Sequence, residues 1–160
     1  MSNQITAADG ARPPDVRSPV ISRDAGPWFD AVPGEAMCIR VHGKEVGGRY
    51  TIIESISQPQ AGPPMHTHQE DEVIAVHEGT LTFVVGGDRF EGGPGTIAVI
   101  PAGVEHAWRN LSDQPARYTA IFTPGGIDEL LSTFGRVPLE ALPEYAARYG
   151  TIITGPPITE

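Results

Sequence analysis

The chain has 160 residues, a length that suits one domain with its own hydrophobic core. Its 20 Asp and Glu outnumber its 11 Lys and Arg, and the net charge of -9 would repel nucleic-acid phosphates and anionic membranes. The 19 Gly and 16 Pro favour many short strands and tight turns over a helical bundle. We therefore predict a β-rich domain that binds neither nucleic acid nor membrane.

The first 27 residues differ in character from the rest of the chain. They are polar, contain four prolines and show no sustained apolar period, which predicts a flexible N-terminal arm over residues 1–27. The arm lacks the build of a signal peptide, and no stretch of the sequence approaches the roughly 18 apolar residues of a membrane span. Cys38 is the only cysteine, so an internal disulfide is excluded. We expect a cytoplasmic protein.

Between residues 35 and 122, short runs of β-branched and apolar residues alternate with turn signals, a pattern typical of a β-sandwich or barrel. The predicted strands are Ala36–His42, Tyr50–Ser57, Glu72–His77, Thr80–Val85, Thr96–Ile100, Glu105–Asn110 and Ala116–Phe122. Gly86-Gly87-Asp88 predicts a tight hairpin, because paired glycines accept the positive φ angles that such a turn needs. We assign residues 28–126 to the barrel.

The pattern changes after Thr123-Pro124-Gly125-Gly126. Apolar residues then recur at helical spacing in two groups, Ile127, Leu130, Leu131 and Phe134, and Leu139, Leu142, Tyr145, Ala146 and Tyr149. We predict two short helices in a C-terminal helical extension over residues 127–160. They would cover core surface, cap the barrel or form a dimer contact, and the first role is the simplest.

Histidines and carboxylates between residues 65 and 106 have metal-ligand spacing. His66 and His68 are two residues apart, which on an extended strand places both imidazoles on one face, about 7 Å apart at the backbone. Glu72 has the same parity, and the turn Pro101-Ala102-Gly103 would bring His106 back beside the first three residues. Three imidazoles and one carboxylate predict one divalent transition metal (Fe, Mn, Ni, Co, Cu or Zn) rather than Ca or Mg.

In octahedral geometry these four ligands would leave two positions for water, O₂ or a chelating substrate, as in a catalytic metal site. The alternative is that the histidines are ordinary surface or core residues. That alternative suits His42 and His77, which lack ligand spacing. Glu70 and Asp71 are expected to be solvated loop charges, although a register error would confuse either with Glu72.

The ligands lie in two motifs that resemble those of the cupin family. The first motif is carried by His66, His68, Glu72 and Gly79, and the second by Gly95, Pro101, Gly103, His106 and Asn110. The one departure is at the opening glycine of the first motif. This glycine normally lies five residues before the first histidine, but here Ala61 occupies that position and the glycine follows as Gly62. The loop entering the site therefore differs slightly, but no ligand is lost.

This resemblance spans about residues 34–126 and implies an all-β fold, the double-stranded β-helix of the cupin jelly-roll barrel, here with short C-terminal helices. It implies that His66, His68 and His106 hold the metal and that Glu72 is both ligand and general base. Trp108 shares the parity of His106 and is a candidate for stacking on a planar substrate. Further candidate pocket residues are Ile74, Phe83 and Ile100; all four are equally explained as core.

The sequence around Pro63-Pro64-Met65-His66 resembles small single-domain cupins of the quercetin-dioxygenase-like type. That resemblance implies a metal-dependent dioxygenase, with iron among the candidate metals, that oxidises a small aromatic or enolic compound. The alternatives are a metal-dependent isomerase, cyclase or lyase, and a non-enzymatic small-molecule-binding cupin. Few basic residues lie near the site, which argues against sugar-nucleotide substrates. Exposed sheet edges predict a homodimer, and the resemblance implies the same because cupins commonly pair such edges in a dimer.

Overall fold

The computed structural model describes residues 20–23 and 25–160, so most of the predicted N-terminal arm lies outside the described residues. The described strands are β1 Phe29–Val32, β2 Glu35–Val41, β3 Thr51–Ser57, β4 Pro64–Thr67, β5 Asp71–Glu78, β6 Leu81–Val85, β7 Asp88–Gly92, β8 Ile97–Ile100, β9 His106–Arg109, β10 Ala116–Thr123 and β11 Ile152–Pro157. The α-helices are α1 Asp128–Leu131 and α2 Leu142–Ala147. Three 3-10 helices span Gly43–Val46, Phe134–Arg136 and Leu139–Ala141.

The strands form two antiparallel sheets. The first has six strands in the order β1-β2-β3-β10-β5-β8, and the second has five in the order β11-β4-β9-β6-β7. Neighbours that are distant in sequence, such as β3 and β10, are characteristic of a jelly roll. The predicted all-β jelly-roll barrel with short C-terminal helices is therefore confirmed. Across the described residues, none of the helices combines the length and apolar character needed to span a bilayer.

The hydrophobic core lies between the two sheets, because alternate side chains of each strand point inward. The first sheet contributes Ile53, Ile74 and Tyr118, and the second contributes Leu81, Phe83 and Trp108. All six are at most 5% exposed. The inward row of β2 consists of Glu35, Met37 and Ile39, so that a carboxylate occupies a position of apolar parity.

The seven predicted strands are all present, and each of their ends falls within one residue of the predicted position. The two predicted helices are shorter than their apolar pattern, since each is part α-helix and part 3-10 helix. We did not predict β1 or β11, and we expected β4 and β7 only as an extended segment at His66 and as the second arm of the hairpin. The segment predicted to be wholly helical ends in β11, where Ile152 pairs with Thr67 and Ile153 with His66. The prolines of this segment are typical of a loop, but an edge strand tolerates proline because one side of its backbone has no strand partner.

Two kinds of glycine shape the turns of the second sheet. Gly86 and Gly87 have φ angles of +59° and +92° and form the predicted hairpin between β6 and β7. Gly79 has a φ of +72°, and a Cβ at this position would lie 2.5 Å from the carbonyl oxygen of Pro115. Gly79 is therefore required both for its backbone conformation and for the close approach of the chain that enters β10.

Replacement of Gly79 by alanine should destabilise the fold much more than the same change at Gly87. A Cβ at Gly87 meets no atom within 4 Å, so Gly87→Ala should cost only the conformational term of about 1 kcal/mol. Gly79→Ala adds a backbone clash and should cost about 3 kcal/mol. Urea denaturation of both variants measures the difference. Equal losses of stability would contradict this account of the motif glycine.

Candidate metal centre

The four predicted ligands come from both sheets. His66 on β4 and His106 on β9 are directly paired in the second sheet, and His68 follows the end of β4. Glu72 lies on β5 of the first sheet and faces them. The site is therefore assembled across the interior of the barrel rather than on one surface.

The turn before His106 is fastened to the segment that carries His68. The Gly103 amide donates to the carbonyl oxygen of His68 at 2.8 Å. The Ala102 amide donates to Oδ1 of Asp71, also at 2.8 Å. Asp71, predicted to be a solvated loop charge, thus accepts a hydrogen bond from this turn. Together the two bonds explain how ligands almost forty residues apart in sequence reach one point.

The structure brings the four side chains together and buries them. His66 is 7% exposed, His68 3%, His106 1% and Glu72 0%. One ring nitrogen from each histidine lies within 4.8 Å of the corresponding nitrogen of the other two. Oε2 of Glu72 lies 3.1 Å from Nε2 of His68 and 3.2 Å from Nε2 of His106. Among the described residues, no hydrogen bond joins Glu72 to His66.

The outer nitrogen of each imidazole is held by a backbone carbonyl. Nδ1 of His66 donates to Pro64, Nδ1 of His68 to Glu70 and Nδ1 of His106 to Val104, at distances of 2.8, 3.1 and 2.8 Å. A neutral imidazole that donates from Nδ1 has its lone pair on Nε2. All three lone pairs are therefore directed inward. Backbone carbonyls that orient histidines in this way are characteristic of metal sites.

This tautomer leaves hydrogen-bond acceptors facing each other. Nε2 of His68 and of His106 each face a carboxylate oxygen of Glu72, and two lone pairs repel unless a proton or a cation lies between them. In addition, Oε1 of Glu72 is buried and has no hydrogen-bond partner among the described residues. Three inward nitrogens and one carboxylate thus fit a divalent transition metal. Metal ligation by these four residues remains a prediction.

The electrostatics of the cluster favour the metal-binding forms of His66 and Glu72, but not that of His68. Burial, with a smaller contribution from the neighbouring His106, lowers the pKa of His66 to about 4, so that its imidazole is neutral at pH 7. Burial alone would raise the pKa of Glu72, but its hydrogen-bond contacts with His106 and His68 outweigh burial and lower it. Burial opposes the charge on His68, but Glu72 reverses this effect and the pKa of His68 is raised.

The remaining predicted residues near the site take other roles. Glu70 places a carboxylate oxygen 3.5 Å from Nδ1 of His68, on the side away from Glu72. His77 is exposed, with Nε2 2.7 Å from the Thr119 hydroxyl, and His42 pairs with Asp128 at 2.9 Å. Neither His42 nor His77 joins the three-histidine cluster.

A cavity of about 70 Å³ adjoins His66 and His68. Of the predicted pocket residues, Trp108 lines this cavity. Ile74, Phe83 and Ile100 are at most 2% exposed but are not among the residues that line it, and Phe83 borders a different surface groove instead. The C-terminal segment closes the cavity with Ile127, Leu130, Leu131, Phe134 and Leu142. These helices therefore cap the interior of the barrel rather than merely covering core surface.

The cavity also contains polar residues that the sequence analysis did not select. Glu35 on β2 and Tyr118 on β10 both line it, and the Tyr118 hydroxyl donates to Oε1 of Glu35. Trp108 donates from Nε1 to the Tyr118 oxygen at 2.8 Å. The available signal was parity: Glu35 alternates with Ala36 and shares the inward face of Met37. Because the predicted strand began at Ala36, that signal was missed.

Burial dominates the protonation of this pair. It raises the pKa of Glu35 to about 7, although the hydrogen bond from Tyr118 partly opposes the shift. Burial and the negative charge of Glu35 also raise the pKa of Tyr118, so its hydroxyl remains a donor at neutral pH. The cavity thus holds a carboxyl group that can be either ionised or protonated near pH 7.

Residues 54–122 match the family model described as a cupin domain. Over this part of the chain, the sequence is similar to cupin domains. This match includes both motifs and all four candidate ligands. No curated protein matches the sequence.

Solved structures agree with this assignment. An RmlC-like cupin from Shewanella frigidimarina is 17% identical, with a TM-score of 0.60, over 70% of this chain and 96% of that one. KdgF from Halomonas sp. is 21% identical, with a TM-score of 0.58, over 64% and 90%. At these identities the similarity supports the cupin fold alone.

A third structure has a higher sequence identity. A sugar phosphate isomerase from a cupin superfamily, from Silicibacter pomeroyi, is 28% identical to this chain, with a TM-score of 0.51. The similarity covers 58% of this chain and 61% of that one.

We expect the protein to bind about one divalent transition metal per chain when it is purified without an affinity tag. His106→Ala removes one inward nitrogen and should weaken metal binding strongly. Loss of a residue that only supports a ligand typically weakens metal binding by about 10- to 100-fold, and loss of a ligand should weaken it by more. His77→Ala, outside the cluster, is the matched control. Elemental analysis and competition with a chelator measure the effect. Unchanged affinity in His106→Ala would exclude this residue as a ligand.

In the metal-free protein, the contribution of Glu35 to the free energy of unfolding should fall as pH rises from about 4.5 to about 7, because the folded state holds the Glu35 proton and the unfolded state has lost it. The lowered pKa of His66 acts in the opposite direction, so the contribution of Glu35 is isolated by comparing a variant with wild type. Glu35→Gln removes this effect. Between acidic and alkaline pH, the free energy of unfolding of the variant should therefore gain on the order of 3 kcal/mol relative to that of wild type. Urea denaturation across the pH range checks this, with exposed Glu91→Gln as control. A stability difference independent of pH would contradict it.

Proposed function

We propose that this protein is a metal-dependent dioxygenase that oxidises a small, uncharged enolic compound. The proposal depends chiefly on one observation, a cluster of three histidines and one glutamate beside an apolar cavity that two of the histidines, His66 and His68, line. Open positions on the metal beside a cavity distinguish a catalytic site from a structural one. The surrounding apolar side chains would keep water away from the reacting atoms.

The cavity restricts the substrate by charge. None of its lining residues, all within the described part of the chain, is Lys or Arg. A phosphate or carboxylate substrate would need such a partner, or a cluster of backbone amides, to compensate for lost hydration. The lining therefore favours a neutral substrate whose only acidic group is the one that reaches the metal centre.

The cavity also restricts the substrate by size. An engineered apolar cavity of about 150 Å³ is known to hold benzene, and the cavity here is about half that volume. A β-diketone is slightly larger than benzene, so the cavity would have to widen even for this compound class, but by much less than for a flavonol. A larger substrate would require the C-terminal residues Leu130 and Phe134 to move away.

Glu72 is the proposed general base. When bound, the metal would act as a Lewis acid that makes an enol oxygen more acidic, and a redox-active metal would also supply electrons for O₂ chemistry. Oε1 of Glu72 has no protein partner among the described residues and can accept the proton that the substrate releases. The other carboxylate oxygen faces Nε2 of His68 and of His106, where the metal would be held. Trp108 supplies an aromatic surface beside the bound substrate.

A metal-dependent isomerase or lyase that does not use O₂ is the second candidate. The similarity to the sugar phosphate isomerase from Silicibacter pomeroyi favours it. The absence of basic residues from the described cavity lining argues against a sugar phosphate itself, so this alternative also requires an uncharged substrate. A binding protein without catalytic activity is the third possibility.

The homodimer remains a prediction. Strand β8 lies at the edge of the first sheet, and its Ile97 and Val99 are 64% and 65% exposed. Such apolar side chains beside an unpaired strand edge support self-association.

The proposal is tested by O₂ uptake with acetylacetone and with quercetin, using protein loaded separately with Fe, Mn or Ni. We expect uptake with acetylacetone, and we expect Glu72→Gln to reduce its kcat by about 100-fold or more because the general base is lost. His77→Ala should retain wild-type activity. No uptake with either compound at full metal occupancy would reject the dioxygenase, and turnover without O₂ would select the isomerase or lyase.

A further inference from the structure

One ionisable group of the cavity has no role in the proposed dioxygenase mechanism. Glu35 lies on the opposite sheet from the three histidines, lines the same cavity and is 2% exposed. A buried carboxylate is costly unless a cation or several hydrogen bonds compensate it. Among the described residues that line the cavity there is no Lys or Arg to provide that compensation.

The hydrogen bonds around Glu35 run in one direction. The indole of Trp108 can only donate, so the Tyr118 oxygen accepts from it, and the Tyr118 proton is directed to Oε1 of Glu35. The second oxygen of Glu35, Oε2, is buried and has no hydrogen-bond partner among the described residues. One carboxylate oxygen is thus positioned by the protein, while the other lacks a hydrogen-bond partner.

We propose that Glu35 is a second acid–base residue of this cavity, whose Oε2 accepts a proton from a hydroxyl group of the substrate and later returns it. In the forward step the O–H bond of the substrate breaks, its electron pair stays on the substrate oxygen, and an O–H bond forms at Oε2. The reverse step restores both groups, so no oxidant or co-reactant is needed. The inference rests on the proposed function only in requiring the same cavity to bind the substrate.

The site defines a class of substrate with two polar ends. One end carries the enol oxygen for the metal centre, and the other carries a hydroxyl for Glu35. The rings of Trp108 and Tyr118 lie between the two sites, with the Trp108 ring 5.9 Å from that of His66 and 5.8 Å from that of Tyr118. Glu35, with a pKa near 7, can both accept and return a proton at neutral pH.

Two probes test the inference with metal-loaded protein: a β-diketone with an alkyl arm long enough to reach from the metal centre past Trp108 and Tyr118, and the same molecule carrying a hydroxyl at the end of that arm. Wild type should bind the hydroxyl-bearing probe about 10-fold more tightly, the gain typical of a hydrogen bond to a charged group. Glu35→Gln should bind both probes with similar affinity, and Glu91→Gln should behave like wild type. Absorbance titrations give the dissociation constants, and metal analysis confirms equal loading.

Infrared difference spectra supply a readout independent of turnover. The hydroxyl-bearing probe should perturb a protonated-carboxyl band that is present in wild type and missing in Glu35→Gln. If Glu35→Gln fails to fold, Tyr118→Phe replaces it. Loss of the Tyr118 donor raises the pKa of Glu35, so the preference for the hydroxyl-bearing probe should move to higher pH.

The outcomes separate this inference from the proposed function. An unchanged preference in Glu35→Gln, or a Glu35 band that neither probe perturbs, would overturn the role of Glu35 even if O₂ uptake is observed. A lost preference together with a perturbed band would support that role even if O₂ uptake is absent and the dioxygenase is rejected.

Discussion

The contact of Glu72 with His68 and His106 is the interaction on which the interior of the barrel depends. It joins the two sheets at a buried point, and the backbone bonds at Nδ1 turn the Nε2 lone pairs toward the carboxylate. Such a cluster of acceptors is unfavourable without a proton or a cation between them. Because the ligands lie on different sheets, metal binding would stabilise the packing of the sheets as well as the site.

Much of the barrel was predictable because its information is local. A strand with one buried face alternates with period two, and glycines such as Gly86 and Gly87 mark the turns, so strand ends were placed within one residue. β11 lacked both signals. It is an edge strand ending in Pro157, and only its pairing with β4 makes it a strand. The sequence shows a proline-bearing tail, whereas the fold supplies the partner.

The candidate ligands were predictable because spacing along a strand is local information. The cavity was not predictable, because local spacing does not define it. Spacing within a strand fixes which face His66 and His68 occupy, but it does not fix how far along the barrel a cavity extends. Ile74 and Ile100 have inward parity and are buried where the core is filled. Glu35 meets Tyr118 across 83 residues of sequence, a pairing that no local pattern contains. The lining of the cavity depends on long-range packing.

The interior holds two buried glutamates whose surroundings act in opposite directions. Glu72 has two imidazoles as neighbours, and their contacts overcome burial and lower its pKa. Glu35 has the Tyr118 hydroxyl and the Trp108 indole as neighbours, but burial outweighs them and raises its pKa. Two carboxyl groups whose pKa values are separated by their environments are the usual means by which one site provides both a base and an acid. That division explains why Glu72 is suited to a metal ligand and Glu35 to exchanging a proton with a neutral substrate.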